Sequence, residues 1–295
     1  NRQALAVTQA TIAAQIHTDG SVSIWHAKSG TPLKASSFDL GGKTVTAVSR
    51  AIDGVHLVFG FSDGTVRFGT VEFKTDVFAE SAAPQGLTKI SSADSTAGSS
   101  VFSKVPGNQI RKVSVALALE DEIVASESHS PIIALGYRYS HFAERPRKIL
   151  VTVDANHAAT LAITDSKKNL LTQKVVSRTT KTDLPPLPKS ANPSFALVNE
   201  MADEVYFAEK SGKLYRYNTK DQGKPILAET ARLTPEGVQL TVLNYLLGDQ
   251  SLVVGGSDGS VNIFFRLPRK DARTADGFTL IKTRTFEPHK AAVAD

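Results

Sequence analysis

The chain reads as an all-β protein built from repeated four-stranded antiparallel blades, and three observations predict it. The first is a hairpin signal met three times: Asp19-Gly20-Ser21-Val22, Asp63-Gly64-Thr65-Val66 and Asp258-Gly259-Ser260-Val261. Each follows a short apolar run and precedes an alternating one. An Asp-Gly pair suits a tight turn between antiparallel strands, because Gly accepts positive φ and Asp hydrogen-bonds nearby backbone. The second is spacing: Val22 to Val66 is a step of 44 residues and Leu214 to Val261 a step of 47. Recurrence at about 40–50 residues is how a β-propeller of WD40-like blades shows itself. The third is the apolar pattern, which has period two almost throughout and gives little helical signal.

The elements follow in order. A first unit runs from about Ala6 to Phe38, with its second and third strands joined at Asp19-Gly20, Trp25 closing the third, and Leu33 to Ser37 as the outer strand. A second runs from Lys43 to about Phe78, led by the turn Ala51-Ile52-Asp53-Gly54. The period then breaks. Ser81 to Gly107 is rich in Ser, Ala, Thr, Pro and Gly, and residues 80–109 are expected to form a flexible insertion. Alternation resumes in Ile110 to Ala118 and Glu122 to Ser126. A further unit takes Ile132 to Tyr139, Lys148 to Val153, the degenerate turn Asp154-Ala155-Asn156-His157 and Thr160 to Ile163. Val66 to Leu161 spans about two periods, so this stretch holds either one heavily decorated blade or two degenerate ones. After the rigid Pro185-Pro186-Leu187-Pro188 loop comes a unit turning at Lys210-Ser211-Gly212-Lys213, and then the Asp258 unit with Phe278 to Thr285 as its outer strand. The sum is five or six blades plus the start of another, a propeller either incomplete or with a degenerate blade, in a single domain over residues 1–295.

Bulk composition excludes several classes. No apolar run approaches the roughly 18 residues that span a bilayer. Cysteine is absent, which removes disulfides, zinc–thiolate sites and cysteine nucleophiles together. Formal net charge is +5. Basic residues gather at Arg138, Arg145, Arg147 and Lys148, and at Arg266, Arg269, Lys270 and Arg273, without the interleaved aromatics of a nucleic-acid groove. These read as solvated loop faces, and no nucleic-acid partner is expected. The chain starts at Asn1 without a leader, and Phe286 to Asp295 resembles the opening of another blade; both fit a piece of a longer protein.

Reactive constellations are weak. Gly41-Gly42-Lys43-Thr44 has the end of a phosphate loop, but Ser37 stands where its first Gly belongs. Ser128-His129-Ser130 places a hydroxyl beside an imidazole without a G-x-S-x-G elbow. His17 and His26 pair across the first hairpin in a way two metal ligands can, and hydrogen bonding at a turn shoulder explains them more simply. Asp19, Asp63 and Asp258 repeat from blade to blade, as turn formers do and catalytic groups do not. Trp25, Tyr215, Tyr217, Phe264 and Phe265 lie on predicted strands and are expected in the packing between blades. No catalytic, cofactor or metal residue is assigned, and ligand-binding residues stay unassigned, since propellers work through rim loops.

One stretch carries a narrower likeness. Ser251-Leu252-Val253-Val254-Gly255-Gly256-Ser257-Asp258-Gly259-Ser260-Val261 through Arg266, with Arg284-Thr285-Phe286-Glu287-Pro288-His289 to Ala294, resembles the extracytoplasmic propeller domain of long phosphate ABC transporter permeases of the PstC type. The resemblance implies a periplasmic, non-catalytic domain of a membrane-anchored protein, with no cofactor. Its partners would be proteins: the phosphate-binding protein, other transporter subunits or a second copy. The alternative is a cytosolic WD40-like scaffold for protein–protein contacts.

Overall fold

The computed structural model describes residues 12–16, 21–26, 31–37, 40, 42–79, 100–105, 109–142, 145–169, 171–172, 174–246 and 248–293. All regular elements among them are strands: β1 (Ile12–Ile16), β2 (Ser21–His26), β3 (Thr31–Ser37), β4 (Val45–Arg50), β5 (His56–Phe61), β6 (Thr65–Ala79), β7 (Ser100–Val105), β8 (Gln109–Val124), β9 (Ile132–Phe142), β10 (Arg145–Asp154), β11 (Ala159–Lys168), β12 (Val175–Leu184), β13 (Pro193–Val198), β14 (Glu204–Glu209), β15 (Lys213–Asn218), β16 (Ile226–Arg232), β17 (Leu240–Tyr245), β18 (Ser251–Gly256), β19 (Val261–Pro268) and β20 (Phe278–Thr285). They form five sheets. Three have four strands in chain order, β9 to β12, β13 to β16 and β17 to β20, as propeller blades do. A fourth has three strands, β1-β2-β3, and the fifth has five in the order β4-β5-β6-β8-β7. No helix among the described residues is long and apolar enough to cross a membrane.

In the stretch left open by the sequence, β8 lies beside β6 and β7 beside β8. The expected flexible insertion at 80–109 is corrected in its last part: Ser100–Val105 is a strand in register with β8, Val101 opposite Val113 and Lys104 opposite Ile110. Residues 80–99 lie outside the described residues. Ile110 to Ala118 and Glu122 to Ser126, expected as two strands, are covered mostly by the single strand β8.

The chain divides into two compact units, Asn1–Val45 with Arg67–Asp121, and Thr46–Val66 with Glu122–Asp295. Within the first, β2 pairs antiparallel with β1 and β3, Ala14 opposite Ile24 and Ile24 opposite Leu33. The Asp19-Gly20 turn, His17 and the Trp25 ring lie outside the described residues, though Trp25 stands on β2.

The second unit holds the packed core. Side chains alternate across a strand, so β14 sends Val205 and Phe207 to one side and Tyr206 and Ala208 to the other. The first pair joins Ile149, Val151, Leu161, Tyr215 and Tyr217 in one apolar cluster between successive blades. The second joins Leu214, Leu243, Leu252, Val254 and Phe264 in the next. Burying one such side chain contributes about 1.5–3 kcal/mol. Tyr215, Tyr217 and Phe264 are buried as expected, and Phe265 is half-buried.

One device recurs in four blades of this unit. The turn between the second and third strands closes with an i+3→i hydrogen bond, Gly64 to Phe61, His157 to Asp154, Gly212 to Glu209 and Gly259 to Gly256. The closing residue is left-handed each time, with φ of 80°, 65°, 84° and 81°. Its carbonyl then accepts from the segment that follows the blade: from Ala125 and Ser126, Leu187, Leu233 and His289 respectively. His157 is thus the place where a Gly is wanted. A non-Gly left-handed residue is strained, and the His157 Nδ1 is buried without a hydrogen-bond partner. His157→Gly is expected to stabilise the protein by about 0.5–1 kcal/mol, less than the full strain because Gly loses more chain entropy. Urea denaturation checks it.

Candidate interaction surface and its polar centres

Each Asp-Gly turn in the second unit works as the sequence predicts. Asp63 Oδ1 accepts from the Thr65 amide at 3.1 Å and the Thr65 hydroxyl at 2.6 Å. Asp258 Oδ1 accepts from the Ser260 amide at 3.0 Å and its hydroxyl at 2.6 Å, and these bonds hold the Asp258 carboxyl below its usual range. In the degenerate turn the acceptor moves two residues earlier. Asp154 Oδ1 takes the Asn156 and Ala158 amides at 2.9 and 3.0 Å.

The other oxygen of buried Asp154 accepts from Ser126 Oγ at 2.6 Å and Ser128 Oγ at 3.3 Å. Asn156 Nδ2 donates to Ser128 and Ser130 at 3.0 and 2.7 Å. These groups edge a cleft of about 240 Å³ that Lys181 and Asp183 also line. The Ser128-His129-Ser130 triplet therefore belongs to a hydroxyl–carboxylate network in which no imidazole takes part among the described residues. His129 stands at φ 54° with an exposed ring. Without a base, the hydroxyls fasten the linker 125–131 to the turn 154–158.

Gly42, at φ 67°, leads through Lys43 and Thr44 straight into β4. A phosphate loop needs a helix N-terminus there, and a strand supplies none. Gly41 lies outside the described residues, as do His17 and the His26 side chain. Among the described residues no three His, Asp or Glu groups gather as metal ligands.

The turns between first and second strands converge on another centre. Arg138 Nη2, from β9, lies 2.9 and 3.0 Å from the two carboxylate oxygens of Asp249 in the β17–β18 turn. Asp249 also accepts from the Glu200 amide in the β13–β14 turn at 2.9 Å. A cleft of about 150 Å³ opens here, lined by Ser49, Arg50, Ile52, Arg138, Asn244 and Tyr245 among others. Four aliphatic side chains lie exposed on or beside these turns: Val48, Ile52, Met201 and Leu246, the second and third at 65% and 58%. Arg50 is exposed and has no ion-pair partner among the described residues.

The charge centre that sequence reasoning missed lies between the β13–β16 and β17–β20 blades. Arg216 is wholly buried. Its Nε meets Glu229 at 2.9 Å, Nη1 meets Glu204 at 3.1 Å, and Nη1 and Nη2 hold the two Asp276 oxygens at 2.8 Å each. Nη2 also donates to the Phe278 carbonyl at 2.7 Å. Arg266 adds a second cation on Glu204 at 2.7 Å, and Tyr206 donates to the same carboxylate. Burial pushes the Glu204 carboxyl up, against the pull of Tyr206 and the two arginines. Burial also raises Asp276, but Arg216, Asn218 and the Phe278 amide outweigh it and bring that carboxyl down to about 2. The signal was present: an Arg inside the apolar run Leu214-Tyr215-Arg216-Tyr217 must find carboxylates, here Glu204 and Glu229 on its own blade and Asp276 on the next. The basic run Arg266 to Arg273, expected as a solvated face, is partly engaged, since Arg266 binds Glu204 and Arg269 binds Asp271 at 2.8 Å.

Comparison with known proteins adds a likeness of fold. No protein-family model matches the chain, and no curated protein does. Among solved structures, the chain is similar to the β-propeller domain of Myceliophteria thermophila Cps50 (Swd1), at 12% identity over 95% of this chain and 68% of that one, with a TM-score of 0.47. The blade assignment rests on strand order and register in the chain itself: antiparallel four-stranded sheets, joined by linkers hydrogen-bonded to left-handed turn residues, make this an all-β chain of propeller-type blades.

Proposed function

We propose that the chain is a non-catalytic interaction module that takes a protein partner on the face where its first-to-second strand turns converge. The observation that carries this is exposed Ile52 in the wall of the Arg50 and Arg138 cleft, with exposed Met201 and Leu246 on the β13–β14 and β17–β18 turns that Asp249 joins. Apolar side chains set among arginines on successive turns fit the anchors and rim of a protein interface. The Asp154 and Arg216 centres, by contrast, are internally paired and hold the blades and linkers together.

The finer reading is that of a periplasmic domain of a phosphate ABC transporter permease, membrane-anchored through the rest of its chain, acting on phosphate uptake through the phosphate-binding protein, another subunit or itself. Its support is the likeness of residues 251–266 and 284–294 to that domain. The test mixes the purified chain with the phosphate-binding protein of the same cell and reads co-elution and affinity. Binding is expected, weakened at least tenfold by Ile52→Asp with Met201→Asp. No binding, together with recovery of cytosolic partners alone on the same face, would replace the periplasmic reading with that of a cytosolic WD40-like scaffold.

A further inference from the structure

The outer edge of the β9–β12 blade differs from its neighbours in three independent ways. It is straight. β12 pairs with β11 over ten consecutive residues without a register shift, Ala159 opposite Leu184 through Lys168 opposite Val175. The outer strands β16 and β20 both lie against a bulge, at Arg216/Tyr217 and Ile263/Phe264. β16 is also partly covered, since the Ala275 amide donates to the Ala228 carbonyl. Bulges and covering segments are how proteins blunt a free strand edge, and β12 has neither among the described residues.

It is also solvent-exposed on both faces. Residues 175–181 are all exposed, Val175 and Val176 by 61% and 66%. Hydroxyl pairs stiffen the hairpin, Thr164 with Thr179 and Ser166 with Ser177, both at 2.8 Å. Every second residue along this ten-residue strand therefore turns its backbone donor and acceptor away from β11, in one rigid row.

Its charge is the third difference. Residues 145–184 carry eight Lys and Arg against three Asp, a surplus equal to the whole chain's formal +5. The sheet face beside Val176 forms an open groove of about 440 Å³ lined by Arg145, Lys167, Arg178 and Asp165 among others. Asp165 is taken by Arg147 at 2.8 Å. Lys167 and Arg178 have no carboxylate partner among the described residues.

We infer that the β12 edge docks an extended, acidic segment of a partner protein, which adds to the β9–β12 sheet as a fifth strand. Main-chain pairing supplies affinity, and the cations with Val175 and Val176 select alternating acidic and aliphatic side chains. This deepens the interaction-module reading but uses a different surface, so the two fail separately.

The test uses the full chain and a fluorescein-labelled decapeptide of alternating Glu and Val. A second probe is the same peptide N-methylated at its four central residues, which keeps its charge and cannot pair as a strand. Anisotropy is expected to show binding of the first at least tenfold tighter than of the second. Lys167→Glu with Arg178→Glu, both exposed, is expected to lower that affinity tenfold or more at an unchanged melting temperature. Equal binding of the two peptides, or of neither, would overturn the inference. So would tighter binding of a 20-base-pair DNA duplex or of phosphatidylglycerol vesicles than of the first peptide. Self-association abolished by the double variant would make the occupant a second copy and likewise overturn it.

Discussion

Arg216→Met is expected to lower the free energy of unfolding by about 3–5 kcal/mol, read as a lower urea midpoint at unchanged slope. Met matches the aliphatic stem, so little packing is lost. What remains is three largely buried carboxylates, Glu204, Glu229 and Asp276, with Arg266 alone reaching one of them. An uncompensated charge in that setting costs more than an intact ion pair contributes, because desolvation is no longer offset. The pH dependence gives the substitution its signature. In the native protein Asp276 has its carboxyl held down to about 2. A depressed carboxylate contributes stability that is present above its unfolded value near 3.8 and is lost as pH falls toward 2. Glu204, raised by burial, has the opposite sign and favours folding slightly as it takes a proton. Asp276 therefore contributes to the acid limb between about pH 4 and 2, beside other depressed carboxylates such as Asp258, and Arg216→Met is expected to remove the Asp276 share and make the limb shallower. The variant's deficit should also shrink toward pH 3, where Glu204, raised by burial, has taken up its proton. A deficit below about 1 kcal/mol, or one that does not vary with pH, would show that the cluster is not coupled as described.

Blade spacing was legible in the sequence because a tight turn has strict chemistry. Asp63-Gly64 and Asp258-Gly259 combine the two residue types that a left-handed, side-chain-capped turn selects, and both lie where the repeats place them. His157 and Gly212 perform the same role without the Asp-Gly pair, and their turns, Asp154 to His157 and Lys210 to Lys213, were legible from the strand patterns on either side of them. The strand β7 was not legible. Ser100-Val101-Phe102-Ser103-Lys104 is short and polar, and only pairing with β8 makes it a strand.

The site was less legible than the fold, for a physical reason. Asp249 is one of several loop acids in the sequence. It becomes a junction because three elements remote in the chain bring Arg138, the Glu200 amide and its own φ of 54° together. Arg216 is different, since a charge inside an apolar alternation already announces a buried partner. The cations of residues 145–184 look like scattered surface charge in one dimension. Hairpin register stacks Lys167 beside Val176 and Arg178 beside Asp165, and a patch results.

Gly136→Val is the second large effect, and it tests how closely the blades approach at their inner strands. Gly136 lies in β9 opposite Val151. A Cβ built there falls 2.6 Å from the Ala196 carbonyl oxygen, 2.8 Å from its carbon and 3.1 Å from the Leu197 nitrogen. All three atoms are main chain of β13, so no rotamer change or trimming of a neighbour relieves the contact, and two sheets must separate. Overpacking of this kind costs about 1–3 kcal/mol and occasionally more; Ala is expected within that range and Val above it. Gly60 is a partial contrast: the atoms within 2.9 Å of its Cβ are side-chain atoms of Ile132 and Leu135, of which the Leu135 Cδ2 can turn aside while the Ile132 Cβ moves only with its strand. Gly60→Ala is accordingly expected to cost less than Gly136→Ala. Gly223, whose only near neighbour is the flexible Asp221 carboxylate at 3.3 Å, serves as the control and should tolerate Ala within about 0.5 kcal/mol. Urea denaturation of the four variants orders them Gly136→Val, Gly136→Ala, Gly60→Ala, Gly223→Ala if the β9 and β13 backbones are in contact. Equal costs at positions 136 and 223 would mean that the two inner strands stand further apart, and that the apolar cluster between their blades, rather than backbone contact, sets the distance.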